Sequence, residues 1–390
     1  MISMLQVFKQ ASVYSPAKEG KKDILVGEGK ILYMADEIKL QGVPAEVVDC
    51  SGLNLVPGFI DQHVHIIGGG GEGSFATRTP EAKLSEITRN GVTTVVGILG
   101  TDGIARNMVS LLAKAKGLEE EGLSTWIYSG SYGLPLVTIT GSLQKDIMCI
   151  DKVVGAGEVA ISDHRSSAPT QTQIAQLAAE ARVGGMLSGK AGIVHLHMGH
   201  GKEGLSMIRK IADTTEIPIT QFRPTHCNKN PRLLEEAIDF VKAGGIIDLT
   251  ASKAPSKECP HLAAAPCVKY LLEKGVPLDQ VTMSSDAYGS MPQFRSDGTL
   301  EKIAVAFEDC IPKAIKEAVC KLGIPLETIL PLVTSNVADH LLLKGKGHIQ
   351  AGFDADFTLL DDQMNITAVW AKGRQMVKDG KPVVFGTYEQ

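Results

Sequence analysis

His63-Val64-His65 is the spacing in this chain with the most chemistry in it. On a β-strand, residues i and i+2 project to one face, so the two imidazoles stand side by side. Apolar packing would not choose two imidazoles there, and the preceding Val56-Pro-Gly-Phe-Ile-Asp61 reads as a strand entering a core. Other strand-like runs also carry potential ligands near their ends. These are Glu158 and Ser162-Asp163-His164-Arg165, His195-Leu196-His197, Thr225-His226, and Ser284-Ser285-Asp286. Imidazole and carboxylate are zinc ligands, and several brought to one rim from separate strands can hold two ions. Taken singly, His226 and Asp286 read equally well as ordinary polar residues; on the same rim as the His-x-His pair they rise together. His195 and His197 share a parity, so spacing alone does not choose between them. His164, His200, His261, His340 and His348 read as supporting or surface residues.

A rim needs elements to build it. Apolar runs at 58–65, 93–99, 125–129, 159–164, 192–198, 219–226, 245–249 and 281–286 predict eight strands. Helix-like stretches fall between most of them, at 80–90, 107–121, 174–184 and 233–242. Strands alternating with helices predict an α/β fold, here a (β/α)8 TIM-type barrel over 57–343. The first 56 residues and 344–390 are instead short strand-like runs punctuated by glycine. They predict one small, sandwich-like all-β domain built from both ends, with Gly27-Glu28-Gly29 as a hairpin turn. The rival open doubly wound sheet lacks its G-x-G-x-x-G after the first strand. Gly68–Gly71 follows two histidines and lacks the lysine and serine of a phosphate loop.

Composition narrows the class. The 390 residues are 44% hydrophobic and 21% charged, ordinary globular material with ample core. A net charge of −5 argues against nucleic acid as a partner. No run approaches the roughly 18 apolar residues of a membrane span, and the start of the chain lacks the pattern of a secretory signal. Seven cysteines without a C-x-x-C pair read as reduced thiols, which predicts a cytoplasmic location.

The segment 56–65, the later histidines and Asp286 together resemble the amidohydrolase superfamily of metal-dependent hydrolases. More narrowly, the chain is similar to the isoaspartyl (β-aspartyl) dipeptidases. That likeness rests on Gly68-Gly-Gly-Gly-Glu72, Thr77-Arg-Thr-Pro80, Gly100-Thr101-Asp102, Ile139-Thr-Gly-Ser142, Ser162-Asp-His-Arg165, His197-Met-Gly199 and Pro224-Thr-His226, and covers nearly the whole chain. The resemblance implies a binuclear zinc site, with His63 and His65 on the more buried ion and His197 and His226 on the other. It selects His197 over His195, and gives Asp286 to the first ion and to proton transfer. A hydroxide bridging the ions would attack the isopeptide carbonyl of a small dipeptide, with Tyr132 stabilising the oxyanion. Glu72 would take the substrate's α-ammonium, while Arg165, Ser290 and Thr101 complete the pocket. It also suggests a homo-oligomer, an octamer being the candidate assembly.

Two departures from the family pattern stand out. The bridging position on strand four usually holds a carbamylated lysine, but no lysine lies between Val153 and His164, and Glu158 is the available carboxylate. Its alternative is to face a neighbouring helix and leave one metal. Lys229 stands where the family has an arginine, keeping the charge and losing the two-pronged fit to a carboxylate. Two rival functions remain: an amidohydrolase acting on a cyclic amide, N-acyl or D-amino-acid derivative, or a metal-free binding protein on this fold. The second would be expected to have lost its histidines. His/carboxylate donors accept zinc, cobalt, manganese or iron.

Overall fold

The computed structural model describes residues 5–253, 258–295, 297 and 299–389. Its α/β part is built on strands buried on both faces, the mark of parallel strands covered by helices. These are β1 (Phe59–Val64), β2 (Val92–Gly97), β3 (Ser124–Ser129), β4 (Val153–Ile161), β5 (Ile193–Met198), β6 (Phe222–Thr225), β7 (Ile247–Thr250) and β8 (Val281–Ser284). The first six form one parallel sheet in chain order, and β7 pairs with β8 in parallel. At one seam Cys227 N, just past β6, donates to Asp248 O on β7 at 3.1 Å. At the other, Val64 bridges in parallel to Ala287, just past β8.

Several helices start on a capping side chain. Asn107 accepts from Ser110 N at 3.0 Å before Met108–Glu121, and Asn230 accepts from Leu233 N at 3.0 Å before Pro231–Lys242. Thr170 and Gln173 form a reciprocal capping box on Gln171–Ser188, which ends on left-handed Gly189. No helix among the described residues is long and apolar enough to cross a membrane.

A nine-stranded, mostly antiparallel sheet draws on both ends of the chain. Phe357–Leu360 pairs with Asn54–Pro57, joining the two ends directly. The turn between Lys18–Gly27 and Lys30–Ala35 has φ of 52° at Glu28 and 76° at Gly29, as a two-residue hairpin requires. Phe8 packs edge-on against both Phe357 and Trp370 at 5.0 Å.

Three elements differ from expectation. Strand β4 starts at Val153 rather than 159, because the Gly155-Ala-Gly157 run is part of the ladder. Glu158 is therefore inside the strand. The run 219–226 divides into a single turn, Ile219–Gln221, and a four-residue strand. A hairpin of Ser290–Phe294 and Leu300–Val305 was not expected; its second strand has no buried residue and so lacks a buried apolar face.

Candidate active site

The strand ends converge. His63 is the penultimate residue of β1 and His65 lies just past its end; their Nε2 atoms lie 3.3 and 3.2 Å from one oxygen, Oδ1 of Asp286. His226 and Asp286 follow β6 and β8 with φ of 61° and 59°, left-handed turns that take the chain off its strand at the rim. Glu158 lies between two histidine groups. Its Oε2 is 3.5 Å from His63 Nε2, and its Oε1 is 2.7 Å from His197 Nδ1 and 3.2 Å from His226 Nε2.

Glu158 reaches this point because β4 bulges. Along the β4–β5 ladder Ala156 faces Val194 and Val159 faces Leu196, so Gly157 and Glu158 together oppose His195. A Cβ on Gly157 would stand 2.8 Å from His195 Cβ. Glycine is what lets the two strands approach there.

The donors suit metal ions. His63, His65 and Asp286 can each offer one atom to a common point, as can His63, Glu158 and His226, the atoms of each group lying within 4.8 Å of one another. His63 Nε2 and Glu158 Oε2 are buried without a hydrogen-bond partner, an arrangement native interiors avoid unless something else satisfies both. The rear nitrogens are held: His63 Nδ1 is 2.8 Å from His195 Nε2, and His226 Nδ1 is 2.6 Å from Thr250 Oγ1. Histidines anchored behind, with the front nitrogen turned towards carboxylates, are typical of metal ligands. Electrostatics agree. Burial opposes a charged His63, yet the Glu158 and Asp286 carboxylates outweigh it and push its pKa up to about 9. Burial drives His226 down to about 3. Burial also works against ionised Glu158 and Asp286, but the surrounding histidines hold both below the usual carboxylate range. These carboxylates favour a cation beside them.

A cavity of about 600 Å³ opens onto this cluster and has a second polar group in its wall. Ser290 Oγ donates to both oxygens of Glu72 at 2.8 Å, Thr101 Oγ1 donates at 3.1 Å, and Arg165 Nη1 at 3.2 Å. Buried Tyr132 has its hydroxyl 2.8 Å from His197 Nδ1. Lys229 donates to Met198 O at 2.6 Å and lies 3.2 Å from His197 Nε2; burial lowers its ammonium pKa to about 8. All the candidate site residues are thus brought to one cavity and the floor beneath it. His164 and His200 line the same cavity, whereas His348 pairs with Asp339 and His340 with Asp279 O, away from it.

Sequence reasoning missed the supports. His195, passed over as a ligand, props His63 from behind and stacks on Tyr128 at 4.9 Å. Asp248 accepts from Gln62, Thr225, Thr282 and Ser284 at 2.5–2.7 Å, tying four strands together under the site. Asp163 holds Arg165 and His197. Polar residues at inward positions of otherwise apolar strands were the available signal.

Residues 54–376 match the model of the amidohydrolase family. The chain belongs to that family. It is 46% identical to the β-aspartyl dipeptidase of the thermophilic, keratin-degrading Fervidobacterium islandicum AW-1, solved in complex with β-Asp-Leu dipeptide. The two superpose with a TM-score of 0.92 over 97% of this chain and 98% of that one. A D-hydantoinase from Bacillus sp. AR9 shares the fold at 16% identity, with a TM-score of 0.69 over 98% and 97% of the two chains. The dihydroorotase of Listeria innocua serovar 6a is 28% identical over 55% of this chain, and the match spans 50% of that protein's length.

Proposed function

We propose that this amidohydrolase is a binuclear zinc dipeptidase that hydrolyses β-aspartyl dipeptides in the cytoplasm as a homo-oligomer. In this reading the eight parallel strands form a closed (β/α)8 barrel over 57–343, and 1–56 with 344–390 form the small β-domain. The observation that carries the proposal is one cavity with two ends. At one end Glu158 divides its oxygens between His63 and the pair His197 and His226. At the other, Glu72 is ringed by the donors of Ser290, Thr101 and Arg165.

His63, His65 and Asp286 would hold one ion, His197 and His226 the other, with Glu158 shared. Zinc held by these residues would supply Lewis-acid polarisation of the scissile carbonyl and a water ionised near neutral pH. Asp286 accepts the proton of the attacking water and returns it to the leaving amine. The Tyr132 hydroxyl donates to the carbonyl oxygen as charge develops on it. Burial pushes the Tyr132 pKa well above that of a free phenol, so it remains a donor through the working pH range. Glu72 receives the free α-ammonium of the aspartyl residue, a group that cyclic amides lack. Arg165, Ser290 and Lys229 supply donors for the substrate's carboxylates.

Purified protein reconstituted with zinc in carbon-dioxide-free buffer is expected to hold about two metals per chain. It should cleave β-Asp-Leu without activation by bicarbonate, and leave dihydrouracil-type rings untouched. A stoichiometry of one, or a Glu158→Ala variant retaining both metals, would remove the bridging role. Turnover of the rings but not of β-Asp-Leu would overturn the substrate.

A further inference from the structure

We propose that Asp163 is a positioning residue that fixes which nitrogen His197 turns towards the metals and clamps Arg165 in the substrate pocket. The inference rests on the dipeptidase reading for its substrate half and on the metal-ligand geometry for the other half.

His197 has a different neighbourhood on each nitrogen. Nδ1 faces Glu158 Oε1 at 2.7 Å and the Tyr132 hydroxyl at 2.8 Å. Nε2 faces Asp163 Oδ2 at 3.1 Å, Arg165 Nη2 at 3.2 Å and Lys229 Nζ at 3.2 Å. A neutral imidazole has one N–H and one lone pair, and the hydrogen bond on one nitrogen decides the role of the other. Guanidinium and ammonium only donate. Acting alone, Arg165 and Lys229 would draw the lone pair to Nε2 and put the proton on Nδ1, where it blocks coordination. Asp163 is the acceptor among these three partners. By taking Nε2–H it leaves the Nδ1 lone pair facing Glu158, where the second ion would sit.

The same carboxylate grips Arg165. Arg165 Nε donates to Oδ1 and Nη2 to Oδ2, both at 3.0 Å, and Arg165 N donates to Oδ1 at 2.8 Å. This two-pronged pair aims Nη1 at Glu72, 3.2 Å away. Asp163 itself has little freedom. Its side chain is 3% exposed, and the loop after β5 presses on it so closely that a Cβ on Gly199 would lie 2.4 Å from Asp163 Cβ. A single carboxylate therefore joins a metal ligand to the residue that orients the substrate's charged groups.

Asp163→Asn and Asp163→Glu test this against wild type and Arg165→Gln. Chelator competition reads zinc affinity, cobalt(II) substitution reads ligand geometry by visible absorption, and steady-state kinetics on β-Asp-Leu separate KM from kcat. Asp163→Asn should bind one of the two metals about 10–100-fold more weakly, the usual effect of losing a carboxylate behind a ligating histidine. It should also change the cobalt spectrum and raise KM, while its Tm stays near wild type. Arg165→Gln should raise KM and leave both metals at wild-type affinity. Asp163→Glu, which restores the charge, should recover part of the metal affinity, and it keeps the test readable if the asparagine variant folds poorly. Wild-type affinity for both metals in Asp163→Asn would overturn the proposal. The metal arm needs no turnover, so a wild type that binds two zincs but ignores β-Asp-Leu refutes the dipeptidase reading and leaves this test standing.

Discussion

Glu72 is the carboxylate at the far end of the cavity, and on the reading proposed above it selects the substrate there. Its side chain is 5% exposed and its oxygens face donors from Ser290, Thr101 and Arg165. That ring fixes the carboxylate's direction while the exposed Thr101 marks the side open to the cavity. On the dipeptidase reading, a substrate ammonium would complete the arrangement as a charge pair largely withdrawn from water. Glu72→Gln keeps the shape and removes the charge, so KM should rise for β-Asp-Leu. The loss in kcat/KM should be worth roughly 2–5 kcal/mol, as when one member of a buried charge pair is left alone. N-acetyl-β-Asp-Leu, which has no ammonium, should already be poor for the wild type. Equal rates on the free and acetylated dipeptides would show that Glu72 reads something else.

At the scale of elements, the bulge in β4 is the feature that brings Glu158 among the histidines. It puts Glu158 inside a strand with its carboxylate between His63 and the pair His197 and His226. Gly157 makes this possible with φ of 154° and no side chain against His195. Gly157→Ala should therefore push β4 away from β5. Overpacking of this kind costs about 1–3 kcal/mol, read as a lower denaturation midpoint, and the variant should also bind fewer than two metals per chain. Unchanged stability and full metal content would mean the bulge forms without glycine. The same strand marks how far the sequence could be read. The His63/His65 pair, the strand-end placement of His226 and Asp286 and the hairpin at Glu28-Gly29 all follow from local spacing. The start of β4 was placed too late because Gly155 and Gly157 carry no side chains to mark a strand, and their place in the ladder depends on the partner strand. Asp163, Asp248 and His195 were passed over for a related reason. What they do depends on neighbours 23 to 186 residues away along the chain, which no local pattern encodes.

At the scale of the whole molecule, both ends of the chain close over one sheet, and the site is held by strands drawn from β1 to β8. Stability and site geometry are therefore set by the same interior, including buried groups that take no part in the chemistry. Glu308 is one of these. It precedes the helix Cys310–Cys320, is 1% exposed, and its Oε1 has no hydrogen-bond partner among the described residues. Burial, reinforced by the nearby Asp61 carboxylate, raises its pKa from 4.5 to about 8. The direction of the effect on stability follows from proton counts. Below pH 4.5 the group is protonated folded or unfolded and costs nothing. Between 4.5 and about 8 the unfolded chain releases a proton that the folded chain keeps, so stability falls as pH rises. Above that both states are ionised and the penalty is constant. Each tenfold difference in proton affinity between the two states is worth about 1.4 kcal/mol, so the fall amounts to a few kcal/mol. Glu308→Gln fills the same space and cannot ionise. Urea denaturation at a series of pH values should find the variant close to wild type at pH 4.5 and more stable by that amount at pH 9. Parallel pH profiles for the two proteins would mean that Glu308 is already ionised in the fold, neutralised by a partner that compensates its burial.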